Sequence, residues 1–467
     1  RTSAPRPEAG LGRRIRKWGP LGNWRAIRMK PAGRRGSAQG SGRGPRESDP
    51  RLTACWILQQ RFRTGRPLNH RFFRRRLEDL SLPDQALCRE LVDGVLRNLR
   101  LLDYRLSRVV DRSLDQVEEA ILWILRLSAY QIDFLRVPDY AAVDSGVELC
   151  RRVGRRFAGS FVNAVLRHYV RGGKPLPTLR GPADLAIAYS HPEWYVRRLL
   201  ERYGWDATRR LLAANNERPP SVVWLNPFRG GSEAFLQQLR ERRIHYQRLA
   251  WPDCLWVEAA GFVRHPLYLE GHCLFVNYGS QWVAHLADVA DRRMVLDACA
   301  APGGKSFILR SRLAENARLI CGDTDWRRLE GMKDLAKRLA VPGLDFVRLD
   351  AAHSVPVRGY DFALVDVPCS GLGTLRSNPD VRWTVRESDL HGWRERQRRI
   401  LRQVFVGLPV GGELLYSTCS TEPEENEDVV EFLLGEQGDA VLKGGYRRTF
   451  PEPGWGDGFF AACIARR

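Results

Sequence analysis

The stretch LDACAAPGGKS, residues 296–306, is typical of an apolar strand that runs through a Gly-rich turn into a helix. Four similar apolar runs come after it, ARLICGD, LDFVRLDA, YDFALVDVP and GELLYSTC, with helical stretches between them. Strands that alternate with helices predict an α/β domain built on a parallel, doubly wound, Rossmann-like sheet. We expect GYRRTF and GFFAACIAR to supply a last pair of strands.

Two cysteines stand where YDFALVDVP and GELLYSTC end. Cys369 belongs to DVPCSGLG, which begins at Asp366, and Cys419 belongs to LLYSTCSTEPEEN. The carboxyl ends of parallel strands meet at one edge of a sheet, and ligands bind at that edge. The sequence therefore predicts two thiols beside a Gly-rich cofactor loop, an arrangement that favours group transfer with a thiol nucleophile.

The Gly-rich turn has the features of a ligand-binding loop. Gly303 and Gly304 let the backbone approach a ligand closely, and Lys305 is placed to pair with an anion such as a carboxylate. The spacing matches neither a P-loop nor GxGxxG, so phosphate binding is not favoured.

Acidic residues end three consecutive strands, at Asp297, Asp323 and Asp350. Asp323 is placed to accept hydrogen bonds from ribose hydroxyls, and Asp350 from an adenine amino group. A single aspartate at a strand end is usually a turn or cap residue. Three of them in succession favour a nucleoside-binding edge.

The residues after Cys419 predict a helix. Thr421–Glu424 has the pattern of a capping box, so we expect the thiol just before a helix N-terminus, whose dipole lowers a thiol pKa. Glu422, Glu424 and Glu425 oppose that effect, which leaves the net influence on the thiol open.

Cys369 alone would also suit a small core position. Its neighbours are less ordinary, because Asp366 precedes it, SGLG comes directly after it, and Arg376 and Arg382 come next. We expect the two arginines to bind phosphates.

The composition points to a polyanionic partner. The 467 residues carry a net charge of +21, which favours nucleic acid over a merely solvated basic surface. The 10 cysteines form no CxxC pair, so a metal site is not expected, and they fit a reducing, cytoplasmic location. There is no apolar run long enough to span a membrane and no secretory signal.

The chain divides into four parts. Residues 1–50 hold 13 Lys and Arg against 3 Asp and Glu and are expected to be a disordered basic tail; the first methionine is Met29, so either a start placed too far upstream or an RNA-binding arm explains them. Residues 51–175 predict an all-α domain, residues 182–275 a small α+β domain that binds RNA or acts as a linker, and residues 276–467 the α/β domain.

Side chains of the first two domains divide between core and surface. Trp194, Tyr195 and Trp224 are expected in the core rather than as base-stacking platforms. Some arginines of the helical domain are expected to be exposed, where as a group they could lie along phosphates, although each taken singly is more often a solvated surface residue: Arg97, Arg100, Arg151, Arg152, Arg155, Arg156 and Arg167.

Together these motifs resemble a known family. CAAPGGK, DVPCSGLG…NPD and YSTCS…EEN are similar to motifs of S-adenosylmethionine-dependent RNA (cytosine-5) methyltransferases. GVLRN at Gly94 and NAVLR at Asn163 resemble a NusB-like domain. A NusB-like domain ahead of such a catalytic domain resembles the bacterial RsmB/Sun (Fmu) 16S rRNA methyltransferases, over residues 50–467.

The resemblance implies a cofactor and a set of site residues. S-adenosylmethionine would be bound by Cys299, Ala300, Ala301, Pro302, Gly303, Gly304, Lys305, Asp323, Asp350 and Asp366. Cys419 would be the nucleophile, with Cys369 suited to product release and Asp366 to a contact with N3 of the base. Two departures put the fine positioning of substrate in question: VNYGS at residues 276–280 where a QDEAS-like stretch is usual, and Asn378 where His is frequent.

The function implied is transfer of a methyl group to C5 of a cytosine in 16S rRNA, at cytosine 967, through a covalent bond between cysteine and C6. The partner would be naked 16S rRNA or an early small-subunit intermediate, bound by a monomer without metal or membrane. The same chemistry on tRNA is the alternative. A DNA cytosine methyltransferase is less favoured because it would lack a second cysteine like Cys419, and intact Cys369, Cys419 and Lys305 disfavour a non-catalytic RNA-binding assembly factor.

Overall fold

The helical periodicity of residues 51–171 produces a bundle with an apolar core of its own. The computed structural model describes residues 49–68, 71–258, 262–452 and 456–467. Residues 1–48 of the predicted tail lie outside the described residues. The bundle consists of α1 (Pro50–Thr64), α2 (Arg71–Glu78), α3 (Leu82–Leu106), α4 (Glu119–Phe134), α5 (Asp139–Arg152) and α6 (Gly159–Arg171). Its all-α character was predicted correctly.

Gly94 lets α3 and α4 pack closely. A Cβ atom at this position would lie 1.9 Å from Cζ of Tyr130 on α4. The ring has no room to move, because Tyr130 is 5% exposed and donates a hydrogen bond to Glu90. The glycine of GVLRN is therefore required by helix packing.

A four-stranded antiparallel sheet, in the order β2-β3-β1-β4, forms the centre of the second region. Trp224 and Tyr195 are buried, as predicted. The elements are α7 (Pro182–Ala188), α8 (Glu193–Ala214), β1 (Val222–Leu225), α9 (Ser232–Glu241), β2 (Tyr246–Arg248), β3 (Cys254–Val257), α10 (Pro266–Leu269) and β4 (Cys273–Phe275). Helices α7 and α8 share an apolar cluster with Leu372, Leu375 and Leu390 of the third region.

The third region is a seven-stranded sheet in the order β10-β11-β9-β8-β5-β6-β7. Its elements are α11 (Tyr278–Leu286), β5 (Met294–Asp297), α12 (Gly304–Arg312), β6 (Arg318–Asp323), α13 (Trp326–Leu339), β7 (Leu344–Arg348), β8 (Phe362–Asp366), α14 (Asp389–Val406), β9 (Glu413–Thr418), α15 (Glu427–Glu436), β10 (Ala440–Thr449) and β11 (Phe459–Arg466). Strands β5 to β9 are parallel, as predicted, whereas β11 is antiparallel to both β9 and β10. The sheet is therefore mixed.

Alternate residues of the parallel strands pack into separate cores on the two faces of the sheet. Val295 belongs to one apolar cluster and Leu296 to the other, which is the period of two expected of a strand covered on both sides. The order reverses at β5, which lies between β6 and β8, and a ligand crevice is expected at such a switch point. Across the described part of the chain, the helices are too short or too polar to cross a membrane.

Candidate active site

Parallel pairing places the two thiols together. Asp366 of β8 lies opposite Ser417 of β9, so the segments after these strands begin side by side. We call them the Cys369 loop (residues 367–388) and the Cys419 loop (residues 419–426). The two Sγ atoms lie 3.1 Å apart, and both cysteines are free. The sheet thus brings the two cysteines together, as the sequence predicted.

The two sulfur atoms are not equivalent. The hydrogen bond with Cys419 and burial raise the pKa of Cys369 well above its ordinary value, and negative charge on Cys419 adds to the effect. Cys369 therefore keeps its proton, and Cys419, which lines a cavity, is the sulfur available to a substrate.

An ion pair between Lys305 and Asp366 stands at the centre of the site. Nζ of Lys305 donates to Oδ2 of Asp366 at 2.7 Å, and the hydroxyl of Ser417 donates to Oδ1 at 2.8 Å. Burial acts to lower the pKa of Lys305, but the carboxylate of Asp366 outweighs it, and the pKa lies above its ordinary value. Lys305 is thus an ammonium in the resting protein.

Two cavities adjoin at this ion pair. One, of about 240 Å³, is lined by Leu274, Phe275, Val276, Asn277, Ser280, Asp297, Cys299, Ala300, Ala301, Pro302, Gly304, Lys305, Leu335 and Asp366. The other, of about 320 Å³, is lined by Asn277, Ser280, Lys305, Asp366, Val367, Thr374, Ser377, Asn378, Cys419, Asp457 and Phe459. We call them the loop cavity and the thiol cavity. They share the Lys305–Asp366 pair, so groups bound in the two cavities would meet there.

The Gly-rich turn forms one wall of the loop cavity. Gly303 has φ 108°, and a Cβ there would lie 2.6 Å from Cζ of Phe307 and 2.8 Å from Cγ of Met332. Gly303 thus serves the turn and its packing, while the other residues of the predicted 299–305 segment line the cavity.

Asp297 was recognised as a strand end but not as a site residue. It is 1% exposed, lines the loop cavity and accepts a hydrogen bond from the Ser306 hydroxyl at 2.6 Å. Burial raises its pKa to about 7. Asp297 is thus a buried carboxyl group in the wall of the loop cavity.

Asp323 and Asp350 lie at the same edge of the sheet as this cavity, outside its lining. Asp323 is 4% exposed, accepts from the backbone amide of Asp325 at 3.0 Å and pairs with Arg328 at 3.1 Å. Asp350 is exposed and accepts from the amide of Ala352 at 3.1 Å, a turn contact. Their roles toward a nucleoside remain predictions.

The thiol cavity is lined by polar residues, of which Asp457 was not singled out by the sequence analysis. Asn277 donates to Asp457 at 2.8 Å, and burial raises the pKa of Asp457 to about 6. Asn277 also caps α11 by accepting from the amide of Gly279 at 2.8 Å. Asn378 donates to the hydroxyl of Thr374 at 3.1 Å. The two departures from the usual motifs thus lie in the wall of this cavity.

The predicted helix N-terminus after Cys419 is wrong. The loop makes only a 3₁₀ turn at Pro423–Glu425, and α15 begins at Glu427. No capping box forms because the carboxylate of Glu424, which would complete it, accepts from Arg198 at 2.7 Å, and the buried carboxylate of Glu422 beside it accepts from Arg198 at 2.7 Å and from Arg202 at 2.8 Å. Both arginines belong to α8 and have no counterpart in the sequence motifs.

The predicted phosphate contacts of Arg376 and Arg382 are also wrong. Both side chains are buried, at 3% and 1% exposed. Arg376 donates to the backbone carbonyls of Arg218 and Glu452. The acceptors of Arg382 are the carbonyls of Arg97, Ser190, Asn215 and Leu375 and the side chain of Asn216. These arginines therefore hold the Cys369 loop against the helical region.

Two arginines of the bundle also bind backbone carbonyls. Arg97 is 9% exposed and donates to the carbonyl of Arg376 at 3.0 Å, and Arg100 donates to the carbonyl of His191 at 3.0 Å. Their predicted exposure is wrong. Arg151, Arg152, Arg156 and Arg167 are exposed as predicted, and Arg155 is partly buried.

Three family models match the chain. The 16S rRNA methyltransferase RsmB/F model matches residues 284–465, the NusB family model residues 48–171, and the ferredoxin-like domain model of RsmF/B-like methyltransferases residues 191–264. The matches fall on the α/β, helical and α+β regions in turn.

Curated relatives are similar in sequence to this chain over most of their length. The ribosomal RNA small subunit methyltransferase B of Shewanella oneidensis is 32% identical over 77% of this chain and 83% of that protein. That of Citrobacter koseri is 30% identical over 84% and 92%. Among solved structures, PH0851 superposes with a TM-score of 0.75 at 21% identity, covering 89% of this chain and 99% of that one, which shows the same fold.

Replacing Arg382 distinguishes a structural arginine from a phosphate-binding one. Arg382→Met leaves several buried carbonyl groups without a hydrogen-bond donor. Each unsatisfied carbonyl costs about 1–3 kcal/mol, so we expect the free energy of unfolding to fall by about 3 kcal/mol or more. Thermal and urea denaturation measure it. Arg386→Met, at an exposed position of the same loop, is the control and should change little. Unchanged stability with weakened RNA binding in Arg382→Met would instead support the phosphate role.

Proposed function

Because the chain belongs to the ribosomal RNA small subunit methyltransferase B family, we propose that it transfers a methyl group from S-adenosylmethionine to C5 of a cytosine in 16S rRNA. One observation carries the proposal. The loop cavity and the thiol cavity meet at Lys305 and Asp366, and Cys419 lies in the second. A cofactor in one and a base in the other would place a methyl donor beside a thiol-activated ring.

The residues of the loop cavity suit S-adenosylmethionine. The carboxyl groups of Asp297 and Asp366 in its wall favour a ligand with a sulfonium and an ammonium group. The backbone of Cys299–Gly304 would hold the cofactor, with Asp323 accepting from ribose hydroxyls and Asp350 from the adenine. When bound, S-adenosylmethionine supplies an electrophilic methyl group.

Cys419 activates the base. C5 of cytosine is a poor nucleophile until a thiolate adds to C6, which moves the electron pair of the C5–C6 double bond onto C5. A hydrogen bond donated to N3 stabilises the charge that develops, and Asp366, beside the Lys305 ammonium, would provide it in its protonated form or through a linking water. The electron pair on C5 would then bond to the methyl carbon as the bond from that carbon to the sulfonium sulfur of the cofactor breaks, with the electrons of the broken bond left on sulfur.

Cys369 completes the reaction. C5 now carries both the methyl group and its original hydrogen, and this proton must leave before the Cys419–C6 bond can break. Besides burial, the hydrogen bond with Cys419 and the negative charge on Cys419 raise the pKa of Cys369, so part of the rise comes from Cys419. Once the Cys419 sulfur is bonded to carbon, that influence is gone, so Cys369 ionises more readily and takes the C5 proton. The double bond re-forms and the Cys419 thiolate departs.

The substrate is proposed from the family. We propose cytosine 967 as the target, in naked 16S rRNA or an early small-subunit intermediate bound by a monomer. A base inside a folded RNA has to be splayed out to reach the thiol cavity. The exposed arginines of the helical region, such as Arg151 and Arg167, are available to RNA phosphates.

Removal of one carboxylate tests the cofactor site. Asp323→Ala should weaken S-adenosylmethionine binding about 10- to 100-fold, since a hydrogen bond to a charged group contributes about 1.5–3 kcal/mol. Isothermal titration calorimetry measures it. Asp345→Ala, an exposed carboxylate paired with Arg318, is the control and should bind normally. If Asp323→Ala binds S-adenosylmethionine as tightly as the wild type, Asp323 does not contribute to cofactor binding.

The order of steps separates the two thiols. Cys419→Ala should be inactive and form no covalent RNA complex, because C5 is never activated. Cys369→Ala should methylate once and then stall, because the C5 proton stays and the Cys419–C6 bond persists. A protein–RNA complex that survives denaturing electrophoresis should therefore accumulate in Cys369→Ala and vanish when Cys419 is also replaced.

Two other outcomes would contradict these roles. An adduct that forms in Cys419→Ala and depends on Cys369 would reverse them, as in a DNA cytosine methyltransferase. Full activity in both single variants, with no adduct in either, would exclude covalent catalysis by this pair.

Bisulfite sequencing identifies the target nucleotide. Methylation protects cytosine from conversion, so cells that lack the gene should lose protection at one cytosine of 16S rRNA, restored by the wild-type gene and not by Cys419→Ala. Loss of a protected cytosine in tRNA, with 16S rRNA unchanged, would establish the tRNA alternative.

A further inference from the structure

Glu425 is a buried carboxyl group that contacts both thiol-bearing loops. Its side chain is 0% exposed. Oε1 accepts from the backbone amide of Ser370 at 2.8 Å, and Oε2 accepts from the hydroxyls of Ser370 and Ser420. Ser370 is the residue directly after Cys369, and Ser420 is the residue directly after Cys419. One carboxyl group therefore joins the residues next to the two sulfur atoms.

The position of this carboxyl group is itself fixed. The Tyr416 hydroxyl, from β9, donates to the backbone carbonyl of Glu425 at 2.6 Å. Gln397 of α14 donates to Oε1 of Glu425 at 3.0 Å and to the carbonyl of Pro368 at 3.1 Å. Strand β9 and helix α14 thus hold Glu425 in place, and a second contact restrains the residue before Cys369.

The neighbouring glutamates act differently. Glu422 and Glu424 bind guanidinium groups of α8. Glu425 instead accepts from neutral groups, and three of these donors belong to the two serines beside the thiols. A carboxyl group that only stabilised the turn would not need hydrogen bonds to both of the residues that follow the cysteines.

We propose that Glu425 is a positioning residue that sets the distance between the Cys369 and Cys419 sulfur atoms. The consequence for turnover rests on the proposed function: Cys369 must reach the hydrogen on C5 while Cys419 is bonded to the adjacent carbon C6. Loosening the pair leaves the attack of Cys419 possible and slows the removal of the C5 proton. Placement errors of this kind cost rate steeply.

The spacing can be measured without RNA. Phenylarsine oxide bridges two thiols only when they are close, since its arsenic atom forms two As–S bonds and its oxygen leaves as water with the two thiol hydrogens. Wild-type protein should bridge Cys369 and Cys419, as identified by peptide mass spectrometry, and Cys369→Ala gives the background from other cysteines. Glu425→Gln replaces an acceptor oxygen by an amide donor that faces other donors, so bridging should be about tenfold slower.

Matched variants control for folding. Glu424→Gln changes the same chemistry one residue away and should bridge like wild type. Ser420→Ala removes one of the bonds to Glu425 and should slow bridging less than Glu425→Gln does. Thermal denaturation and S-adenosylmethionine binding show whether each variant is folded. If Glu425→Gln does not fold, the bridging rate of Ser420→Ala is the test. A rate in Ser420→Ala equal to that of the wild type would then overturn the proposal.

Activity assays separate this proposal from the proposed function. Glu425→Gln should lower kcat about tenfold or more with little change in the KM for RNA, and should accumulate a covalent RNA complex that requires Cys419. Unchanged bridging in a folded Glu425→Gln, or no bridging in wild type, overturns the positioning role whatever the reaction is. Slowed bridging in a protein whose wild type neither methylates RNA nor forms an adduct overturns the proposed function and leaves the positioning role intact.

Discussion

The parallel pairing of β8 with β9 is the constraint on which the site depends. The register that places Asp366 opposite Ser417 gives Asp366 the hydroxyl donor that fixes it beside Lys305. A slip of one residue would turn each of these side chains to the other face of the sheet. The same register starts the two thiol-bearing loops side by side, so one ladder of backbone hydrogen bonds sets both the ion pair and the thiol pair.

Regions outside the sheet complete the site. The Cys369 loop runs into the helical bundle, where Trp383 donates to the carbonyl of Leu96 at 2.8 Å and Arg382 is surrounded by carbonyls. A buried guanidinium is unfavourable unless its donors are used, so these contacts form only when the loop and the bundle fold together. The helical region therefore supports one of the two thiol-bearing loops of the active site.

Local sequence pattern was enough to predict the parallel strands and the meeting of the two thiols. Alternating apolar runs indicated the strands β5 to β9, and their parallel direction placed Cys369 near Cys419. The antiparallel pairing of β10 with β11 could also have been predicted, because the nine residues 450–458 between them are too few for a parallel crossover. Arg382 was not predictable in this way. Three of the carbonyls that accept from it, those of Arg97, Ser190 and Asn215, lie 167 to 285 positions away along the chain. The capping box at Thr421 failed for a similar reason, because the distant guanidinium group of Arg198 binds Glu424 more strongly than a backbone amide does.

Those guanidinium groups also decide the electrostatic question left open by the Cys419 loop. Three glutamates within six residues of the sulfur would repel negative charge on it if all were free. Glu422 lies between Arg198 and Arg202, and Glu424 binds Arg198 at 2.7 Å, so two of the three carboxylates are neutralised at close range. Glu425 shares its charge among neutral donors. Helix α8, which precedes the parallel sheet in the chain, therefore reduces the repulsion that Glu422 and Glu424 would exert on negative charge at the Cys419 sulfur, although the sequence motifs around Cys419 do not include this helix.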